Sequence, residues 1–224
     1  MSDPTVTDEP KDRPYADSPV GVGPWVGPWP GGPDGELPRH LDPDLLREGD
    51  RRNVVDGYRY WRHEAIVADL DTRRHGFHVA VENWGHDFNI GSVIRTANAF
   101  NAAAFHIVGR RRWNRRGAMV TDRYQHEQHH PDIQHLLEWA GAQDDGAGIP
   151  VIGLDNLPGA VPLEGYALPE QCVLLFGQEG SGLSAEAVSG CDVLLEITQH
   201  GSTRSLNAGA AAAIVMYHWA LQHA

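Results

Sequence analysis

The sequence predicts an α/β protein built on a parallel sheet with helices on both faces. Two observations carry this. From residue 77 onward, short apolar runs alternate with segments whose apolar residues recur at helical spacing. The runs themselves, such as Cys172-Val-Leu-Leu-Phe176, are apolar without interruption, as strands buried on both faces are.

The elements follow in chain order. Residues 1–40 hold 9 of the 15 prolines and six glycines, which excludes a helix or a central strand there. Residues 1–50 are therefore expected as a Pro/Gly-rich, disordered arm, with Trp25 and Trp29 as its large apolar groups. The domain is expected over 51–224. A leading helix is expected over about 53–73, with Val54, Tyr58, Trp61, Ala65, Ile66 and Leu70 on one side. Strands are expected at 77–81, 104–108, 149–154, 172–176 and 193–197. Helices are expected at 89–100, 132–140, 184–188 and 206–221. The last is apolar most of the way round, so burial on both sides is expected, one of them against a second subunit.

Charge is segregated. The chain of 224 residues has a net charge of −12, yet residues 51–135 hold 13 of its arginines against 9 acids. A basic face on an acidic protein favours a polyanion. Arg110, Arg111, Arg112, Arg115 and Arg116 are the densest part, with Trp113 among them as a candidate stacking plane. No apolar run approaches the roughly 20 residues that span a bilayer. No basic stretch followed by an apolar core opens the sequence, so no secretory signal is expected. Two cysteines, Cys172 and Cys191, make no disulfide framework and suit the reducing cytoplasm.

Three stretches carry candidate chemistry. In Asn89-Ile-Gly-Ser-Val-Ile-Arg95, Asn89 stands at a helix start and Gly91 leaves room for a close approach. Arg95 lies near the positive end of the helix dipole, where an anionic ligand would explain a cation. In Phe176-Gly-Gln-Glu-Gly-Ser-Gly-Leu-Ser184, an apolar strand enters a glycine-rich loop and then a helix that Ser184 can cap. In Ser205-Leu206-Asn207, two polar residues open an apolar helix and are both cap candidates.

Together and in this order, the three stretches resemble the motifs of the SPOUT superfamily, specifically its SpoU/TrmH-type RNA ribose 2′-O-methyltransferases. The resemblance covers about residues 75–222. It implies a SPOUT-type parallel sheet whose C-terminal part forms a deep trefoil knot, S-adenosylmethionine as cofactor, an RNA substrate and a homodimer. It implies cofactor binding by Leu175, Gly177, Glu179, Ile197, Ser205 and Leu206. It implies a catalytic set of Arg95, Asn89, Glu179, Ser205 and Asn207. The substrate is expected to be structured RNA, tRNA in preference to rRNA, with the arginine cluster as its contact surface. Two positions depart from the common pattern: Asn101 stands where a glycine is usual, and Ala208-Gly209 follows Asn207.

Three other readings compete. His126-Glu-Gln-His-His130 matches the H-E-x-x-H spacing of zinc peptidases, but Pro131 disfavours helical geometry at His130, so no metal is expected. Gly180-Ser-Gly182-Leu-Ser-Ala185 matches a dinucleotide fingerprint, but too late in the chain for the fold that uses it. A catalytically silent RNA-binding dimer of the same fold is the third.

Overall fold

A computed structural model describes residues 21–32, 35–83, 85, 89–178 and 180–224, as two compact units, 1–61 and 62–224. In the first unit, the described part of the expected arm carries structure of its own. Helix α1, Pro43–Glu48, starts where the Asp42 carboxylate accepts the Asp44 and Leu45 N–H groups and Pro43 presets the first turn. Val22 pairs antiparallel with Asp50. Residues 1–20 lie outside the described residues.

Asp50 organises this unit. Its fully buried carboxylate accepts bonds from the Arg52 guanidinium at 2.9 and 2.7 Å and from the Tyr60 N–H at 3.0 Å. Burial pushes this carboxyl up, but the Arg52 and Tyr60 bonds outweigh it and hold the group below its ordinary value. The same contact breaks the helix expected over 53–73. Tyr60 gives its N–H to Asp50 and sits at φ +64°, outside helical space. What forms instead is a short 3₁₀ turn, Asp56–Tyr58, and, in the second unit, helix α2, His63–Asp71.

The second unit is the sheet domain. Its strands are β1 Phe77–Asn83, β2 Phe105–Gly109, β3 Glu127–His130, β4 Val151–Leu154, β5 Val161–Pro162, β6 Cys172–Phe176 and β7 Val193–Glu196. All pair in parallel, in the order β3-β2-β1-β6-β4-β7-β5. Helices α3 Ile90–Ala99, α4 Ile133–Gly141, α5 Ala185–Gly190 and α6 Ala208–His223 complete it. The polar strand β3 and the two-residue β5 were not legible in the sequence.

The pleat divides the strand side chains between two cores. Phe77, Val79 and Val81 of β1 and Leu174 and Phe176 of β6 meet α3 (Val93, Ile94) and α6 (Val215, Met216, Trp219). Ala80, Val173 and Leu175 meet α4 (Ile133, Leu136) and α5 (Ala187). Helices thus cover both faces, as expected. On the outer side of α6, Ala210, Ile214, Tyr217 and Leu221 are exposed along one stripe in the single chain, the side expected to face a second subunit. Among the described residues, no helix is long and apolar enough to cross a membrane.

Candidate functional site

Parallel strands leave their carboxyl ends on one edge, where loops can converge on a ligand. Here the ends of β6, β4 and β7 border a cleft of about 590 Å³. Its walls are residues 154–157, 176–178, 180–182, 195–197, 199, 204–208 and 211. That volume lies within the range small-molecule sites occupy.

The glycine-rich loop after β6 is folded back on itself. Gln178 and Gly182 exchange two backbone hydrogen bonds, each 3.0 Å. Gly182 takes φ +70°, and a Cβ on Gly177 would lie 2.1 Å from the Gly182 carbonyl carbon. Gly177 is therefore required first by the loop's own closure. Two carboxylates, one in β1 and one just after β4, hold the loop's exit: Asp155 accepts the Leu183 N–H at 2.8 Å, and buried Glu82 accepts the Ser184 N–H at 2.7 Å. Ser184 then caps α5, as its sequence position predicts. Gln178 Oε1 accepts the Gly85 N–H at 2.6 Å, tying this loop to the segment before α3.

Asn207 joins the first and third stretches. Its Oδ1 caps α6 by accepting the Gly209 and Ala210 N–H groups, and its Nδ2 donates to Asn89 Oδ1 at 3.0 Å. Asn89 stands at the N-cap position of α3, but its side chain makes no cap bond and turns to Asn207 instead. The Asn89 Nδ2 is buried without a hydrogen-bond partner among the described residues.

Of the expected site residues, Gly177, Ile197, Ser205, Leu206 and Asn207 line the cleft. Asn89 and Gly177 line a small adjoining hollow with Glu82 and Gln178. Glu179 lies outside the described residues. Leu175 is a correction: it is fully buried in the core under α4 and α5, and Leu154 and Phe176 line the cleft in its stead. Arg95 is exposed on α3 and lines neither hollow. The space at Gly91 is filled by the chain itself, since a Cβ there would lie 2.6 Å from Gly117 Cα and Ala118 N. Sequence reasoning missed Glu82, Asp155, Asn156, Gln178, Gln199 and Arg204. Asp155 had a signal, a carboxylate directly after a strand's carboxyl end.

The arginine cluster is only partly a basic face. Trp113 is 9% exposed and donates its Nε1–H to Glu127, so it offers no open stacking plane. Arg115 lies over the Trp113 ring at 4.6 Å and pairs with Asp122 at 2.6 Å and Glu127 at 3.0 Å. Its charge is thus offset twice. Arg111, Arg112 and Arg116 are exposed with no ion pair among the described residues, and Arg110 reaches the Gly85 carbonyl at 3.4 Å.

The H-E-x-x-H stretch forms β3, where no helix face brings its histidines together. His126 bonds Asp71 at 2.8 Å, and His129 bonds the Gly109 carbonyl. His130 ends a hydrogen-bonded row, His78–His106–His130, with ring nitrogens 3.0 and 2.9 Å apart and Trp139 packed over it. Burial pushes His78 down to about 4. Burial and the neighbouring rings push His106 well below its ordinary value, and burial also lowers His130. Among the described residues, no cluster has the makings of a metal site.

Known proteins share this architecture. The crystal structure of the SpoU methyltransferase AviRb from Streptomyces viridochromogenes, in complex with the cofactor AdoMet, is 27% identical with a TM-score of 0.58, over 69% of this chain and 60% of that one. The A. aeolicus TrmH/SpoU tRNA modifying enzyme, 21% identical, has the same fold with a TM-score of 0.61, over 72% and 82%. A tRNA (guanosine(18)-2′-O)-methyltransferase of Mus musculus is 31% identical over 60% of this chain but only 9% of its own length. An uncharacterized tRNA/rRNA methyltransferase of Mycolicibacterium vanbaalenii is 28% identical over 84% of this chain and 61% of its own. The chain thus spans less than two thirds of these two relatives' lengths. The sequence profile described as the SpoU rRNA Methylase family matches residues 76–217, most of the sheet domain. With the three motif segments meeting at one strand edge, this match shows that the chain belongs to the SpoU methylase family of the SPOUT superfamily.

Proposed function

We propose that the protein transfers a methyl group from S-adenosylmethionine to a ribose 2′-hydroxyl of structured RNA. The observation that carries this is that the second and third motif segments line one cleft while the first is joined to them by the Asn207–Asn89 bond, across 118 residues of chain, at the adjoining hollow. The preferred RNA is tRNA, since tRNA (guanosine(18)-2′-O)-methyltransferases recur among the relatives, including one from Borreliella burgdorferi at 36% identity over 34% of this chain.

The cleft fits the proposed cofactor in size and in unmet hydrogen-bonding capacity. Gln199 lines it, and the Gln199 Oε1 is buried without a partner among the described residues, an acceptor suited to a ligand amino group. Backbone groups at Gly177, Ile197 and Leu206 would hold the adenine and ribose, with Ser205 beside them; Glu179 completes the proposed set. When bound, S-adenosylmethionine supplies an electrophilic methyl group on a sulfonium and so brings its own leaving group. The chain's task is to orient the ribose and manage the hydroxyl proton. Asn207 and Asn89 fix the relative positions of α6 and α3, which sets where Arg95 projects. Arg95 stays protonated, because a guanidinium gives up its proton only above a pKa of about 12. Its role is to hold an RNA phosphate and stabilise developing negative charge on the attacking oxygen; as the oxygen–methyl bond forms and the methyl–sulfur bond breaks, the hydroxyl proton would pass to water, leaving the thioether as the other product.

Arg95 lies outside the cleft lining of its own chain, which suits a homodimer in which a second copy completes each site. The exposed stripe Ala210, Ile214, Tyr217 and Leu221 is the proposed dimer face, and Phe100 of the α3 segment packs beside Tyr217. A deep trefoil knot is part of the reading. What supports it is the strand order: β6 lies between β1 and β4 although β4 and β5 precede it in the chain. RNA contact falls to Arg110, Arg111, Arg112 and Arg116, with Arg115 and Trp113 as the support beneath them. The cytoplasm is the proposed compartment, since Cys172 and Cys191 are both free.

Calorimetry with S-adenosylmethionine, followed by nucleoside mass spectrometry of tRNA incubated with both, tests the proposal. The expected result is micromolar binding and a new 2′-O-methylnucleoside. RNA binding without cofactor binding would instead favour the catalytically silent RNA-binding reading.

A further inference from the structure

Beyond residue 123 the chain has a single lysine or arginine, Arg204. It lines the cleft, and it is the only cation among the described residues that do. The acids there are otherwise engaged or outnumber it: Asp155 holds the N–H groups of Asn156 and Leu183, and Glu196 stands at the end of β7. The backbone at Arg204 is tied down by a second lining residue, since Asn156 Nδ2 donates to the Arg204 carbonyl at 2.5 Å. The side chain itself is exposed and has no hydrogen bond or ion pair among the described residues. It immediately precedes Ser205, and the positive end of the 16-residue helix α6 opens onto the same cleft at Ala208 and Ala211.

We infer that Arg204 is a positioning residue that grips a backbone phosphate of the RNA at the mouth of the cleft, beside the ribose to be modified. This rests on the methyltransferase reading above and adds to it a specific contact. A guanidinium on an anchored backbone presents paired donors that match phosphate oxygens. Its exposure puts it where a polymer arrives, whereas a small cofactor is held by the enclosed loop groups. An otherwise acidic cleft also needs a local cation to admit a phosphate.

The test compares the full chain with Arg204→Ala and Arg204→Lys. Three quantities are measured: S-adenosylmethionine affinity by calorimetry, equilibrium binding of unmodified tRNA across a salt series, and steady-state kcat and KM for methyl transfer to that tRNA. In Arg204→Ala, tRNA affinity is expected to fall roughly tenfold, as removal of one charge-assisted hydrogen bond does. The log–log salt slope should flatten by about 0.7–0.9, the value of one neutralised phosphate. The KM for tRNA should rise more than kcat falls, cofactor affinity should stay within about twofold, and Arg204→Lys should recover part of the salt slope, since it keeps the charge without the fork. Unchanged tRNA affinity and slope in Arg204→Ala would overturn the assignment while leaving the methyltransferase reading intact. A tenfold loss of cofactor affinity with the tRNA salt slope preserved would also overturn it, giving Arg204 to the cofactor's carboxylate. A wild-type chain that binds neither tRNA nor cofactor would overturn both readings together.

Discussion

Replacing Asn207 with alanine removes two kinds of bond at once, and the structure gives the size of each. The Asn207 Oδ1 accepts two N–H groups at the start of α6, and loss of such a cap costs about 1 kcal/mol. The Asn207 Nδ2 is the donor to Asn89 Oδ1, and Asn89 Nδ2 already lacks a partner among the described residues, so the variant leaves an amide poorly satisfied at both ends. A stranded polar group costs about 1–3 kcal/mol, and the lower end applies because Asn207 itself is exposed and water can enter. The expected loss is about 2 kcal/mol. Asn207→Asp separates the parts. An aspartate keeps the cap, adds a favourable charge at the helix start, and can accept from Asn89 Nδ2 once that amide turns over. Its expected loss is under about 0.5 kcal/mol. Urea unfolding of the full chain at pH 7.5, followed by tryptophan fluorescence, measures both. An alanine variant within about 0.5 kcal/mol of wild type, or an aspartate variant as damaged as the alanine, would refute the double role assigned to this side chain.

Acid should weaken the sheet domain before its carboxylates titrate. The buried row His78, His106 and His130 has folded pKa values below the ordinary 6.5, with His78 at about 4, so the unfolded chain takes up protons first as pH falls. Their contribution is intact above about pH 6.5 and declines below it, with His78 alone costing up to about 3 kcal/mol by pH 4; a urea midpoint unchanged between pH 7.5 and 5 would contradict this. Gly177→Ala should destabilise the loop that lines the cleft, because its Cβ meets the loop's own backbone. Cofactor affinity should fall at least tenfold by calorimetry, and wild-type affinity would show that the loop opens at little cost. Within the arginine cluster, Arg111→Ala with Arg112→Ala should flatten the salt dependence of RNA binding by about 0.7–0.9 for each phosphate no longer neutralised. Arg115→Ala should leave that slope unchanged and lower stability instead, since its charge is taken up by Asp122 and Glu127; equal slopes for the two sets would refute the division.

Much of the sheet domain was legible because its signals are local. Continuous apolar runs gave β1, β2, β4, β6 and β7, and helical spacing gave α3 to α6 to within a few residues. Strand β3 carried no such signal: its Glu-Gln-His-His sequence is polar, and only pairing with β2 makes it a strand. The leading helix failed for a related reason. Periodicity over 53–73 was good, but the Asp50 carboxylate claims the Tyr60 N–H that the helix would need. Of the site, the three motif segments and most of their residues lining the cleft could be read in order. Leu175 could not be assigned to a face without the pleat, nor Trp113 to the interior without Glu127 beside it.

By itself the sequence determined the α/β class, most of the elements, the capping role of Ser184 and the three stretches on which the family rests, because each depends on neighbours a few residues apart. Only the tertiary structure decided which polar groups meet. Glu82 holds Ser184 from 102 residues away and Asn207 holds Asn89 from 118, while three histidines from three strands share one buried row. No local pattern encodes such pairs. They arise because parallel strands distant in sequence bring their ends to one edge, and each polar group buried there must find its partner among whatever the fold sets beside it.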